Sequence, residues 1–99
     1  MDLTRLRENL REVRERIARA ASQSGRDPNA VRLIAVTKRS PVDWLPSLCD
    51  LGLRDFGENY PQELWSKSAD ARLSGREVHW HLIGHLQGNK VKRTLPLVT

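Results

Sequence analysis

The chain has 99 residues, 38% hydrophobic and 29% charged, with a formal net charge of +5. That length holds one small domain, able to bury roughly 60 to 70% of its unfolded surface, and the composition is that of a folded chain rather than a disordered one. The longest aliphatic run, Leu33 to Val36, is far short of the roughly 20 residues a spanning helix needs, and Cys49, the sole cysteine, excludes an internal disulfide or a multi-cysteine zinc site.

The N-terminus has no apolar targeting core and soon carries Glu8, Glu12 and Glu15, which makes a cytoplasmic protein the expectation. Leu3, Leu6, Leu10, Val13, Ile17 and Ala20 recur at intervals of three and four, one apolar stripe on a long amphipathic helix. Asp2 is placed to cap it and Gly25 to stop it. Glu12 to Arg16 and Glu15 to Arg19 follow the favourable i to i+4 order of a solvated helix face. The positive balance therefore does not by itself specify an acidic partner.

Asp27-Pro28-Asn29 breaks the chain before a first strand over 31–37, whose near-continuous apolar character suits burial on both faces. Ser40-Pro41 reads as a helix cap followed by proline, with Trp44, Leu45 and Leu48 on the helix, a kink at Pro46 and a stop at Gly52. A second strand is expected over 53–57. Asn59 and Pro61 open the next helix, with Asn59 suited to cap it through its side-chain oxygen, and Leu73-Ser74-Gly75 ends it. A third strand follows over 78–83. Gly88-Asn89 begins a basic helix, Lys90 to Leu95, and Leu97-Val98-Thr99 reads as the opening of a fourth strand.

The strand starts near residues 31, 53, 78 and 97 give the period of a parallel βα fold with right-handed crossovers. An eight-unit barrel needs roughly 200 residues or more. The expected architecture is α/β: a partial (β/α) TIM-type barrel of three to four βα units after a long N-terminal helix. We read residues 1–99 as one incomplete domain, with the helix over 1–25 and the βα units over 31–99.

Chemistry-capable groups gather where the strands end. Lys38 closes the apolar run Leu33-Ile34-Ala35-Val36-Thr37, and burial there together with Arg39 beside it would lower its amine pKa and favour attack on an aldehyde. Phe56-Gly57-Glu58-Asn59 ends the second strand, where the Asn59 amide can either cap the helix or donate to a ligand oxygen. His79 and His81 share one face of the third strand because side chains alternate with period two. A His-x-His pair at a strand end leaves a divalent metal open, but needs further ligands that the sequence does not identify. Neither a P-loop nor a dinucleotide fingerprint occurs. Lys90, Lys92 and Arg93 could meet phosphate or RNA, but no aromatic platform lies nearby in sequence, so specific nucleic-acid binding is not expected.

Three motifs, Leu33-Ile34-Ala35-Val36-Thr37-Lys38, Phe56-Gly57-Glu58-Asn59-Tyr60-Pro61-Gln62-Glu63 and Trp80-His81-Leu82-Ile83-Gly84-His85-Leu86-Gln87-Gly88-Asn89-Lys90, stand in the order found in the pyridoxal phosphate homeostasis protein family. The chain resembles the N-terminal part of that family. The resemblance implies a barrel like the alanine racemase N-terminal domain, pyridoxal phosphate held as a Schiff base at Lys38, and Asn59 and His81 near the cofactor. It also implies a non-catalytic carrier or buffer in vitamin B6 homeostasis, with pyridoxal-dependent apoenzymes as partners and no membrane. In the family the phosphate is held by groups from the C-terminal half. Without them, weakened retention is expected, and the open sheet edges invite self-association. The alternatives are a racemase-like pyridoxal enzyme, which needs a second acid or base opposite the lysine, and a metal-dependent hydrolase fragment using His79 and His81.

Overall fold

The computed structural model describes residues 3–37 and 41–99. Lys38, Arg39 and Ser40 lie outside the described residues, as do Met1 and Asp2. The contacts divide the chain into two compact units, one reaching Leu33 and the other running from Ile34 to Thr99.

The first unit is dominated by α1 (Leu3–Gln23). Its end follows from Gly25, which adopts φ 74°. That left-handed turn lets Arg26 N–H reach the Ala21 carbonyl at 2.7 Å and Gly25 N–H reach the Ser22 carbonyl at 3.2 Å, closing the helix with the paired bonds of a Schellman motif. Glu12 pairs with Arg16 at 2.7 Å as the spacing predicts. Glu15 instead takes Arg11, one turn before it, at 2.8 Å. A 3-10 turn (Pro28–Ala30) follows, capped by the Asp27 carboxylate, which accepts from the Asn29 N–H at 3.0 Å.

The second unit is built on a three-stranded parallel sheet in the order β1 (Ala35–Val36), β2 (Asp55–Glu58), β3 (His79–Leu82). Two helices connect these strands: α2 (Leu45–Asp50) between β1 and β2, and α3 (Pro61–Ser68) between β2 and β3. A short helix α4 (Val91–Thr94) follows β3, flanked by 3-10 turns at Gly88–Lys90 and Leu95–Leu97. The expected fourth strand survives as a parallel bridge from Val98 to Trp80, with Thr99 N–H donating to the Trp80 carbonyl at 2.8 Å. The α/β class and the parallel sheet are thus as expected. Among the described residues, no helix is long and apolar enough to cross a membrane.

Several boundaries differ from expectation for identifiable reasons. The first strand covers two residues rather than seven, although Thr37 N–H extends its ladder to the Gly57 carbonyl at 2.9 Å. Carrying the Ala35 to Phe56 register back one residue sets Ile34 opposite Asp55, where β2 begins, so β2 offers no paired length beyond that point. Nor is the strand buried on both faces, since Val36 is 55% exposed. Pro46 causes no kink: a 3-10 turn (Val42–Trp44) gives way to α2, where Pro46 falls in the first turn and needs no N–H. Helix α3 stops at Ser68 because the Asp70 carboxylate accepts the Arg72 backbone N–H at 2.9 Å, starting a separate 3-10 turn (Ala71–Leu73). The same Arg72, through its side chain and its backbone, holds the Asp70 carboxyl below its ordinary range.

The core of this unit contains Leu45, Leu48, Leu53, Phe56, Leu64, Leu73 and Trp80. Phe56 and Trp80 are register partners, and their rings meet edge-on with centroids 5.7 Å apart. Because Phe56 is fully buried, Phe56→Ala is expected to lower unfolding stability by about 3 to 5 kcal/mol, to be measured by urea denaturation.

Candidate functional site at the strand ends

Parallel pairing sends β1, β2 and β3 toward one rim, so the residues leaving each strand become neighbours. Register also sorts the side chains. Phe56, Glu58, Trp80 and Leu82 share one face of the sheet, whereas Asp55, Gly57, His79 and His81 share the other with Val36. Glu58 and its partner Lys67 identify the first face as the one toward α3.

At the rim on that face stands a buried polar cluster. Glu58 is fully buried and Thr37 nearly so. The Thr37 hydroxyl donates to Glu58 Oε2 at 2.9 Å, the Lys67 ammonium pairs with Glu58 Oε1, and Lys67 Nζ also donates to the Thr37 backbone carbonyl at 2.7 Å. One carboxylate thus ties the end of β1 to the end of β2 and to α3. Removing one partner of such a buried pair typically costs about 3 to 5 kcal/mol, because the other charge is left without compensation. The sequence reading gave Glu58 no role of its own and did not single out Lys67. The available signal was parity: an acid two residues after Phe56 must point to the same helix-covered side.

Asn59 leaves β2 half-buried. It does not cap α3. The capping position belongs to Tyr60, which makes no side-chain cap bond, and Pro61 opens the helix as expected. The close neighbour of Asn59 is Gly84, beyond β3. A Cβ built on Gly84 would overlap the Asn59 carbonyl oxygen and lie 2.9 Å from its carbonyl carbon. Glycine is therefore what lets the two loops touch.

His81 sits opposite Gly57, and its Nε2 lies 2.8 Å from Asp55 Oδ1, with both side chains 16% exposed. This contact is directed toward the beginning of β2, away from Asn59, leaving Nδ1 as the ring nitrogen not engaged by Asp55. His79 pairs separately with Glu77 at 3.1 Å. Among the described residues, no group of three or more His, Cys, Asp or Glu side chains is arranged to hold a metal ion. Lys38 lies outside the described residues.

One other sequence expectation changes. Trp65 supplies an aromatic face beside the basic helix, but it is covered by Arg93 from this same chain, 4.4 Å from the ring centroid. Its indole N–H donates to Thr94 Oγ1 at 2.9 Å, and that hydroxyl donates to the Lys90 carbonyl at 2.7 Å. Cys49 is only half-buried. Burial pushes its thiol pKa up, while the nearby Arg76 charge pulls the other way.

No protein-family model matches the chain. A protein of Pseudomonas aeruginosa named pyridoxal phosphate homeostasis protein is 42% identical over 90 residues, which is 91% of this chain and 38% of the relative. This chain is homologous to the N-terminal part of the pyridoxal phosphate homeostasis proteins. It spans well under half the length of the curated relatives it matches. The crystal structure of an unknown protein from Bifidobacterium adolescentis matches with a TM-score of 0.79 at 33% identity, covering 99% of this chain and 45% of that one. The structure of PipY from Synechococcus elongatus with PLP bound matches with a TM-score of 0.64 at 36% identity, covering 83% of this chain and 38% of that one. The curated relatives are named for homeostasis of pyridoxal phosphate rather than for a reaction.

The approach of Asn59 to Gly84 gives a direct check on the rim. Gly84→Ala is expected to cost about 1 to 3 kcal/mol through overpacking against backbone. Gly57→Ala should cost less, since the nearest atoms to its added Cβ belong to the Ile34 and Ile83 side chains, at 3.3 Å. Urea denaturation of the two variants measures the difference.

Proposed function

We propose that this chain binds pyridoxal phosphate through a Schiff base at Lys38 and takes part in cofactor homeostasis as a non-catalytic carrier or buffer. The observation that carries this reading is the similarity to PipY, whose structure was determined with PLP bound. The partial TIM-type barrel belongs to the same proposal, supported by the parallel β1-β2-β3 order and the crossover helices.

The described residues fit such a group. A flat heteroaromatic ring needs an accessible apolar surface with a few polar groups around it. The sheet face bearing Gly57 has Val36 at 55% and Ile83 at 46% exposure beside it, with the His81 imidazole on the same face. Asn59 stands at the rim above, half-buried. In this reading, Asn59 and His81 orient the ring, and the Asp55 contact fixes the His81 imidazole. The cofactor supplies an aldehyde, whose carbon bonds the Lys38 nitrogen as its oxygen leaves as water. Cofactor held this way is available to pyridoxal-dependent apoenzymes in the cytoplasm.

Self-association is a further part of the proposal. Among the described residues, β1 pairs with β2 along one edge and with no strand along the other, and an unpaired edge is a template for another chain. Sedimentation velocity should show mass rising with protein concentration, whereas a compact monomer at all concentrations would count against it.

The test of cofactor binding is incubation with pyridoxal phosphate, borohydride reduction and peptide mapping by mass spectrometry. A pyridoxyl adduct confined to Lys38 and abolished in Lys38→Ala is expected. Labelling spread over Lys90 and Lys92, or no labelling, would overturn the reading.

A further inference from the structure

We infer that Glu58, Lys67 and the Thr37 hydroxyl form a positioning clasp that fixes Thr37, the residue before Lys38 in the chain, and withdraws Lys67 from competition for the same aldehyde. The inference rests on the proposed Schiff base at Lys38, and it names residues with which that proposal does not deal.

The chain contains four lysines, Lys38, Lys67, Lys90 and Lys92, and an aldehyde distinguishes among amines only by their availability and placement. Lys67 is near the same rim, but its side chain is only 11% exposed and its ammonium is held by the Glu58 carboxylate and the Thr37 carbonyl. Attack on an aldehyde would need a free amine lone pair, and releasing one would leave Glu58 charged and fully buried. Lys67 is therefore the wrong amine for the chemistry.

It is well placed for another role. The Thr37 carbonyl, which precedes Lys38 in the chain, accepts from Lys67 on α3 at 2.7 Å. On its other side, Thr37 is held through its N–H to the Gly57 carbonyl at 2.9 Å and through its hydroxyl to Glu58 at 2.9 Å. Three bonds from two other elements restrain a single residue. Backbone restraint next to a reacting side chain matters because misplacement by about 1 Å can cost about a hundredfold in rate.

Lys67→Met alone leaves Glu58 without its counter-charge and could unfold the unit. The decisive variant is therefore Glu58→Gln/Lys67→Met, which removes both charges at similar volume, an exchange that buried ion pairs often tolerate. Circular dichroism and a thermal melt establish that it folds. Borohydride trapping with pyridoxal phosphate then gives the ratio of Lys38 adduct to Lys90 plus Lys92 adduct. The ratio should fall by about tenfold or more in the folded double variant, with no adduct on Lys67 in the native chain. A folded double variant that keeps the native ratio, or a Lys67 adduct in the native chain, would overturn the clasp. Hydrogen exchange at the Thr37 amide provides a readout without cofactor: slow in the native chain and faster in the variant if the clasp acts as described, and equally fast in both if it does not. If the native chain shows slow Thr37 exchange yet no preference for Lys38, the clasp stands as a structural device while the Schiff-base reading, and the positioning role resting on it, fails.

Discussion

Burial of the Glu58 carboxylate is the constraint on which the rim of the sheet depends. Taking an ion out of water costs several kcal/mol even after the protein relaxes, and this side chain has no exposed surface. Attraction to a counter-charge and a hydrogen bond to the carboxylate offset that cost. Here one carboxylate oxygen faces the Lys67 ammonium and the other accepts the Thr37 hydroxyl. The second donor contact of Lys67 falls on the Thr37 carbonyl. No member can be lost without stranding another, so β1, β2 and α3 are joined by chemistry that does not loosen by degrees.

The two faces of the sheet consequently do different work. The face with Phe56, Glu58 and Trp80 is closed by packing and by the charge pair, with Phe56 and Glu58 fully buried. The face with Gly57 and His81 keeps exposed apolar groups, Val36 and Ile83 among them. Gly57 on this face and Gly84 in the loop beyond β3 are glycines for different reasons. At Gly57 an added methyl would meet flexible isoleucine side chains, whereas at Gly84 it would meet the backbone of Asn59. Only the second is an absolute steric demand, and it is the one that draws the loops after β2 and β3 together.

Much of this could be read from the sequence, because the governing signals are local. Gly25 and Gly52 stop helices by adopting positive φ, and Pro61 starts one, as residue type alone implies. The period of the strand-like segments gave the parallel order. What escaped depends on partners distant in sequence. The length of β1 is limited by where β2 begins, at Asp55, which its own apolar run cannot reveal. Asn59 has a capping residue's chemistry, yet the helix begins one residue later, and its backbone is engaged with Gly84, 25 positions away. Lys67 looks like any helix-surface lysine until parity shows that Glu58 must face α3.

The remaining charges clarify why that one pair matters. Arg11 with Glu15, Arg16 with Glu12, and Arg72 with Asp70 are pairs between near neighbours in which at least one side chain is largely exposed, and water screens such pairs so that they contribute little to stability. Arg93 lies over Trp65 rather than reaching outward. Several of the cations behind the net charge of +5 thus have partners within the chain. Electrostatic leverage over structure is concentrated where water is excluded, at Glu58 and Lys67. Because the Lys67 ammonium also donates to the Thr37 carbonyl, this buried charge pair bears directly on the end of β1.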